Sequence, residues 1–151
     1  MTSENEDRLN VKPLKPEDFD ALVELDSVIL GSYKRKEYWE KKFAIFRLRH
    51  PNLSLVAYKD DKLAGYIMGN ISGWEFGVMA GIGWVELIGV DPNAQRKGIG
   101  RELTDELLHQ FQTLGVKKVY TMVLAKDVNL RKLFSAMGFE EGHMVQLEKD
   151  L

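Results

Sequence analysis

Cysteine is absent from the 151 residues, which excludes disulfides, thiolate nucleophiles and cysteine-ligated zinc or iron–sulfur centres together. An excess of charge is missing too. The 23 acidic and 21 basic side chains leave a formal net charge of −2, so the total charge calls for neither nucleic acid nor an anionic membrane as partner. Any anion site must then be local. No apolar stretch approaches the roughly 20 residues of a spanning helix, the longest strongly apolar run being Gly77 to Val85. The opening MTSENEDRLN lacks the apolar core of a signal peptide. A soluble, cytoplasmic protein is expected. Histidine is scarce: His50, His109 and His143 stand 59 and 34 residues apart, with no pair at metal-ligand spacing, and no metal is expected. A Gly-x-Ser-x-Gly nucleophile turn is likewise missing.

What is present reads as a single domain over residues 9–151 behind a polar tail of residues 1–8, long enough to bury a core without staples. Leu9 to Leu14 predicts a short strand. Pro16 opens a helix carrying Phe19, Leu22, Val23 and Leu25 and stopped near Gly31, and Tyr33 to Leu48 predicts a second, whose lysines and arginines read as a solvated face. Leu53 to Tyr58 and Leu63 to Ile71 predict a hairpin across Lys59-Asp60-Asp61-Lys62, followed by a turn or bulge around Trp74 to Gly77. Trp84 to Val90 is nearly all apolar, as a strand buried on both faces would be, and Glu86 is its only charge. Ile99, Leu103, Leu107, Leu108, Phe111 and Leu114 mark one helix face, with Gly115 as its C-cap residue. Lys118 to Leu124 predicts a strand. Leu130, Leu133, Phe134 and Met137 predict a short helix capped by Asp127 or Asn129 and ended by Gly138, and Val145 to Leu147 a last strand. The order β-α-α-β-β-β-α-β-α-β implies an α/β fold, a mixed central sheet with helices on both faces and a parallel pair across the long helix.

The turn between that buried strand and the long helix suits an anion. Gly98 and Gly100 allow close backbone approach, the first helical turn offers N–H groups at the positive end of its dipole, and Arg96, Lys97 and Arg101 add cations. A diphosphate fits this design. A dinucleotide fingerprint would need Gly or Ala where Leu103 stands, and a Walker loop would need Gly-Lys-Ser/Thr, so neither nucleotide loop matches. A Gly-x-Gly at a strand-to-helix turn also serves simple tight packing, and the spacing alone leaves both readings open.

Gln95-Arg96-Lys97-Gly98-Ile99-Gly100 resembles the (Gln/Arg)-x-x-Gly-x-(Gly/Ala) signature of the GNAT acetyltransferase superfamily, preceded as in that family by an apolar-x-Val-x-Pro strand end, here Ile88-Gly89-Val90-Asp91-Pro92. Met137-Gly138-Phe139 is similar to the end of the family's second motif, Leu-Tyr-x-x-x-Gly-Phe. The resemblance implies acetyl-CoA as cosubstrate, its pyrophosphate held by Gln95, Arg96, Lys97, Gly98, Ile99, Gly100 and Arg101. It also implies a pantetheine arm beside Ile88 and Val90, where two parallel strands splay, with the Ile88 N–H polarising the thioester carbonyl. Asn129 and Lys132 are candidates for the CoA arm or phosphates, as is Arg131, and Phe134 for packing on the pantetheine.

The implied reaction is acetyl transfer to a primary amine of a peptide, protein or small molecule, through a ternary complex. Such an amine must first lose a proton. Glu86 is the candidate base, against a structural role in a buried ion pair or hydrogen bond; as a base it is expected on the same strand face as Ile88 and Val90 because side chains alternate, and to be raised in pKa by apolar surroundings. Phe134 departs from the family, standing where many members carry a tyrosine acid; water, Tyr120, Tyr66 or Tyr33 would replace it. Trp74, Glu75, Phe76, Tyr33, Tyr38 and Trp39 are candidates for an acceptor entrance, against ordinary core or surface roles. With 12 residues after Phe139, the acceptor groove is expected to be open to a peptide or covered by a second copy in a homodimer. The alternative is a GNAT-fold sensor or scaffold that binds acyl-CoA without turnover.

Overall fold

A computed structural model describes residues 9–72, 81–94 and 98–151. In chain order these form β1 (Asn10–Pro13), α1 (Phe19–Leu30), α2 (Lys36–Phe46), β2 (Ser54–Lys59), β3 (Lys62–Ser72), β4 (Ile82–Val90), α3 (Ile99–Thr113), β5 (Lys118–Thr121) and α4 (Val128–Ala136). The strands lie side by side in sequence order. β1 to β4 pair antiparallel, and β4 and β5 are parallel across the α3 crossover. The mixed sheet with helices on both faces is as expected. The turn expected around Trp74 to Gly77 lies outside the described residues.

Local chemistry explains the element ends. Asp60 and Asp61 take φ of 50° and 61° between the paired Lys59 and Lys62, the double left-handed geometry of a two-residue hairpin turn that short polar side chains tolerate. Gly115 (φ 83°) closes α3: its N–H reaches the Gln112 carbonyl at 3.0 Å, and that of Val116 reaches Phe111 at 3.0 Å. These are the paired bonds of a Schellman cap. Val145 to Leu147 corrects the sequence reading, because an extended segment becomes a strand only by pairing. No ladder forms there, and Val145 and Leu147 are 81% and 89% exposed.

Each face of the sheet has its own core. Ile99, Leu103, Leu107 and Phe111 of α3, all at most 1% exposed, pack with Leu55, Ile67, Val85 and the α4 residue Phe134. Full burial of such a side chain contributes about 1.5–3 kcal/mol. On the other face Leu22 and Leu25 of α1 and Trp39 and Phe46 of α2 cover Val56, Tyr66 and Met68. Trp39 is thus core, not an acceptor entrance, while Tyr33 is 79% exposed.

One ion pair fixes α1 to the start of α2. Asp26, 2% exposed, accepts bonds from Nε and Nη2 of Arg35 at 2.9 and 2.8 Å, and the guanidinium stacks on Tyr38 at 4.2 Å. Burial works to raise the Asp26 pKa, but the hydrogen bonds and the positive charge of Arg35 outweigh it and hold the carboxyl below its ordinary value. Removing one partner strands the other charge. Asp26→Asn is therefore expected to cost about 3 kcal/mol at neutral pH, the lower end of the about 3–5 kcal/mol of a broken buried pair, because the Arg35 side chain is 32% exposed. A carboxylate depressed in the folded state stabilises above its unfolded pKa of about 3.9 and loses that contribution as pH falls through the folded value. Urea midpoints of wild type and variant should then stay apart from pH 7 to about 5 and converge only in stronger acid.

Candidate active site

The site begins where two strands part. β4 continues to Val90, but its pairing with β5 ends at Val85 opposite Thr121, and the Thr121 hydroxyl donates to the Val85 carbonyl at 3.0 Å. Lys118 to Leu124 was expected to be strand throughout; the ladder stops at Thr121 because the chain turns away, with the Asp127 N–H bonding Leu124 at 2.9 Å. Between the diverging strands opens a cleft of about 150 Å³ lined by Val85, Glu86, Leu87, Ile88, Thr121, Met122, Val123, Leu130 and Phe134.

The phase of the β3–β4 ladder determines what faces this cleft. The Asp91 N–H donates to the Ala64 carbonyl at 2.8 Å, so their pair is hydrogen-bonded. Bonded and non-bonded pairs alternate in an antiparallel ladder. The next bonded pairs are therefore Tyr66 with Gly89 and Met68 with Leu87, whereas Ile88 and Val90 sit in non-bonded pairs with Ile67 and Gly65. Their N–H and C=O groups turn from β3 toward the side that β5 has left.

Glu86 breaks the alternation assumed from sequence. Met68 pairs with Leu87 and Gly69 with Val85, which leaves Glu86 as the extra residue of a β-bulge. Val85, Ile88 and Val90 all pack toward the α3 core, while Leu87 packs toward the α1–α2 core. Glu86 does not share the Ile88 face. Its carboxylate pairs with the guanidinium of Arg49, so it is ion-paired, not isolated among apolar neighbours as expected. The Arg49 N–H bonds the Phe46 carbonyl at 3.0 Å in the turn after α2, and its guanidinium lies 5.3 Å from the Phe46 ring centroid. Sequence reading missed Arg49, because nothing in a basic run points to a carboxylate 37 positions away.

The α3 end of the site begins with an Asx turn in which the Asp91 carboxylate accepts the Asn93 N–H at 2.8 Å. Gly98 caps α3 at φ 90°, a conformation that disfavours a side chain. Ile99 is buried core, Gly100 packs close to Leu133, and Arg101 is exposed. Gln95, Arg96 and Lys97, expected to hold phosphates, lie outside the described residues. Asn129 and Lys132 are exposed on α4, and Asn129 borders a shallow hollow of about 440 Å³ with Leu124, Lys126, Asp127 and Val128. Arg131 instead donates to the Ala125 carbonyl at 3.1 Å.

Asp127, not Asn129, caps α4, accepting the Leu130 N–H at 3.1 Å. At the other end Gly138 (φ 89°) makes a second Schellman cap: the Phe139 N–H reaches the Phe134 carbonyl at 2.9 Å, and the two rings meet edge to face at 5.1 Å. Phe134 is therefore both cleft wall and cap contact. Of the tyrosines weighed as acids, Tyr66 is buried under Trp39, Tyr120 packs on Trp84 and Tyr33 is exposed. Burial pushes the Tyr66 hydroxyl far above its ordinary pKa. Among the described residues no three His, Asp or Glu side chains gather as a metal site, and no helix is long and apolar enough to cross a membrane.

Residues 19–139 match the family model of the acetyltransferase (GNAT) family. The chain belongs to the GNAT acetyltransferase family. This GNAT chain is 31% identical over 93 residues to the ribosomal protein bS18-alanine N-acetyltransferase of Salmonella typhimurium, covering 62% of itself and 57% of that protein. It is 38% identical over 60 residues to the mycothiol acetyltransferase of Beutenbergia cavernae, covering 40% of itself and 20% of that protein. It thus spans less than two thirds of the length of either relative. The fold superposes on an aminoglycoside N-acetyltransferase solved in complex with CoA, with a TM-score of 0.79 at 15% identity, covering 97% of both chains.

Gly89 gives a direct test of the β4 geometry. A Cβ there would lie 2.6 Å from the ring of its cross-strand partner Tyr66, inside any tolerated contact. Gly89→Ala should lower stability by about 1–3 kcal/mol through overpacking. In a double-mutant cycle with Tyr66→Leu, thermal melting should show a positive coupling, because the smaller side chain removes the clash.

Proposed function

We propose that this GNAT chain is an acetyl-CoA-dependent N-acetyltransferase that passes the acetyl group directly to a primary amine in a ternary complex. One observation carries the reading: beside the bulge that presents Glu86, the Ile88 N–H turns into the cleft left by β5. Acetyl-CoA supplies an activated acetyl group on a thioester. The Ile88 N–H donates to the thioester oxygen where negative charge develops, a fixed donor that needs no reorganisation. Glu86 takes a proton from the acceptor ammonium, which is mostly protonated near neutral pH. The amine nitrogen then bonds to the acetyl carbon as the carbon–sulfur bond breaks. Among the described residues lining the cleft there is no tyrosine, and the Thr121 hydroxyl is engaged with Val85, so water protonates the departing thiolate. The free N–H end of α3, with Gly98, Ile99, Gly100, Arg101 and the preceding Gln95, Arg96 and Lys97, binds the CoA diphosphate. Val90, Phe134, Asn129 and Lys132 line the path of the pantetheine.

A second reading rests on Phe134, whose ring offers no proton: an acyl-CoA sensor without turnover. Free-CoA release with a panel of amines and peptides, run beside acetyl-CoA binding by calorimetry, separates the two. Transfer to an amine supports the enzyme, and binding with slow hydrolysis and no accepted amine supports the sensor. For the enzyme, Glu86→Gln should lower turnover much more than acetyl-CoA affinity. Ile88→Pro removes the N–H without breaking a bond to β3, a placement proline tolerates at a locally unpaired strand edge. Turnover should fall about 10²–10³-fold with circular dichroism unchanged; undiminished turnover in a folded Ile88→Pro variant would sink the backbone role.

A further inference from the structure

We infer that Arg49 selects the acceptor: the amine presented to Glu86 belongs to a molecule that also carries a carboxylate, and that carboxylate replaces Glu86 on the Arg49 guanidinium. This rests on Glu86 acting as the base in the proposed transfer.

Arg49 and Glu86 are paired with only 19% and 31% of their side chains exposed. For Glu86 to receive an ammonium, a second cation must come to a carboxylate that already holds one. Two cations on one carboxylate repel, and a guanidinium simply expelled from the pair would be left half-buried over Phe46 without its anion, which is costly. An acceptor carrying its own anion resolves both problems in one exchange: Arg49 passes to the incoming carboxylate, with which it can form two parallel hydrogen bonds, and Glu86 is released to the amine. Because Arg49 and Glu86 touch in the free protein, the two groups of the acceptor must lie close together, within about two residues' reach or ~7 Å.

The charge of the surrounding segment supports this independently. Residues 34–50 hold seven lysines and arginines against two glutamates in a chain of net charge −2. Lys34 and Arg35 are engaged with Glu24 and Asp26, whereas Lys36, Lys41 and Arg47 are exposed. These exposed cations on α2 and in the turn after it add positive potential on the side of the sheet from which Arg49 reaches Glu86, which draws anionic molecules there and leaves their final registration to Arg49. The carboxylate has two sources, the α-carboxylate of a free amino acid or an Asp or Glu beside the amine of a peptide.

The test is kcat/KM for matched acceptors on the full chain: amino acids against their carboxamides, and peptides with Asp against Asn next to the terminal amine. Wild type, Arg49→Gln and Arg49→Lys are compared, with melting temperatures to establish folding. The wild type should favour the carboxylate member by about tenfold or more, the size of a charge-assisted hydrogen bond. Arg49→Gln should bring that ratio close to one, and Arg49→Lys should keep part of it. Preference confined to one arm identifies the source of the carboxylate. A merely structural Arg49 would lower both members equally and leave the ratio intact, which overturns the proposal, as does equal use of both members by the wild type. If Arg49→Gln does not fold, the wild-type ratio and Arg49→Lys decide. Acetyl-CoA binding with no transfer to any amine overturns the transfer reading itself, and this inference with it.

Discussion

The separation of β4 from β5 after Val85 and Thr121 is the constraint on which the rest of the site depends. Buried backbone groups are normally consumed by pairing, and a central strand has no reason to aim an N–H at open space. β4 does so because β5 stops after four residues while β4 runs for nine. The bulge at Glu86 then does two things at once. It lets Val85 and Ile88, three positions apart, face the same core, and it gives the one charged residue of the strand a direction that regular alternation would not. The close fit of Tyr66 over Gly89 fixes the register immediately beyond. Slipping that register by one residue would turn Ile88 into a bonded pair and remove its N–H from the cleft.

The sheet also divides the chemistry into two sides. The α3–α4 side offers the N-terminal end of α3, whose first N–H groups have no partner within the helix, with Gly98 and the Phe134 wall, the side the proposed reading gives to the phosphorylated thioester. The α1–α2 side offers the Arg49–Glu86 pair, the side the proposed reading gives to a charged acceptor. The cleft and the Arg49–Glu86 pair meet at β4. Arg49 reaches it because a turn after Phe46 folds the chain back over the Phe46 ring, and α2 itself is held to α1 by Asp26 and Arg35. A disturbance of that buried pair, distant in sequence from the cleft, would therefore reach Glu86 through the position of α2.

Much of the fold was legible because its signals are local. The 3.6-residue stripe from Ile99 to Phe111, the left-handed Gly115 and Gly138 and the Asp60-Asp61 turn need only a few neighbours to act. The second motif of the family resemblance rests on the same kind of feature: Gly138 and Phe139 are a Schellman cap whose ring contact closes on Phe134. What sequence reading missed is set by partners elsewhere in the chain. The bulge exists because β3 presents one residue fewer than β4 between Met68 and Gly69, and nothing near Glu86 shows this. The early end of β5 reflects its divergence, since Met122 to Leu124 are as apolar as a strand should be. Val145 and Leu147 have strand-like residue types but no pairing partner.

Phe134 shows how a local requirement and a chemical one can meet in a single residue. It occupies the position of the α4 cap whose carbonyl accepts the Phe139 N–H, its ring meets the Phe139 ring, and at 4% exposure it closes the floor of the cleft. A phenol here would have to direct its hydroxyl into that cleft or find a partner within the core, since a buried hydroxyl without one is destabilising. The chemistry does not require it. A thiol with a pKa of about 8.5 is a moderate leaving group that water can protonate, whereas an ammonium, with a pKa of about 8 at a peptide terminus and about 10.4 on lysine, cannot attack until its proton is removed. In the proposed reaction the harder proton transfer is thus at the acceptor, the side on which Arg49 and Glu86 meet. On the proposed mechanism, a GNAT site without a tyrosine at this position is consistent with transfer as long as Glu86 is released to the amine, so the proposal places the control of turnover at the Arg49 contact more than at the missing phenol.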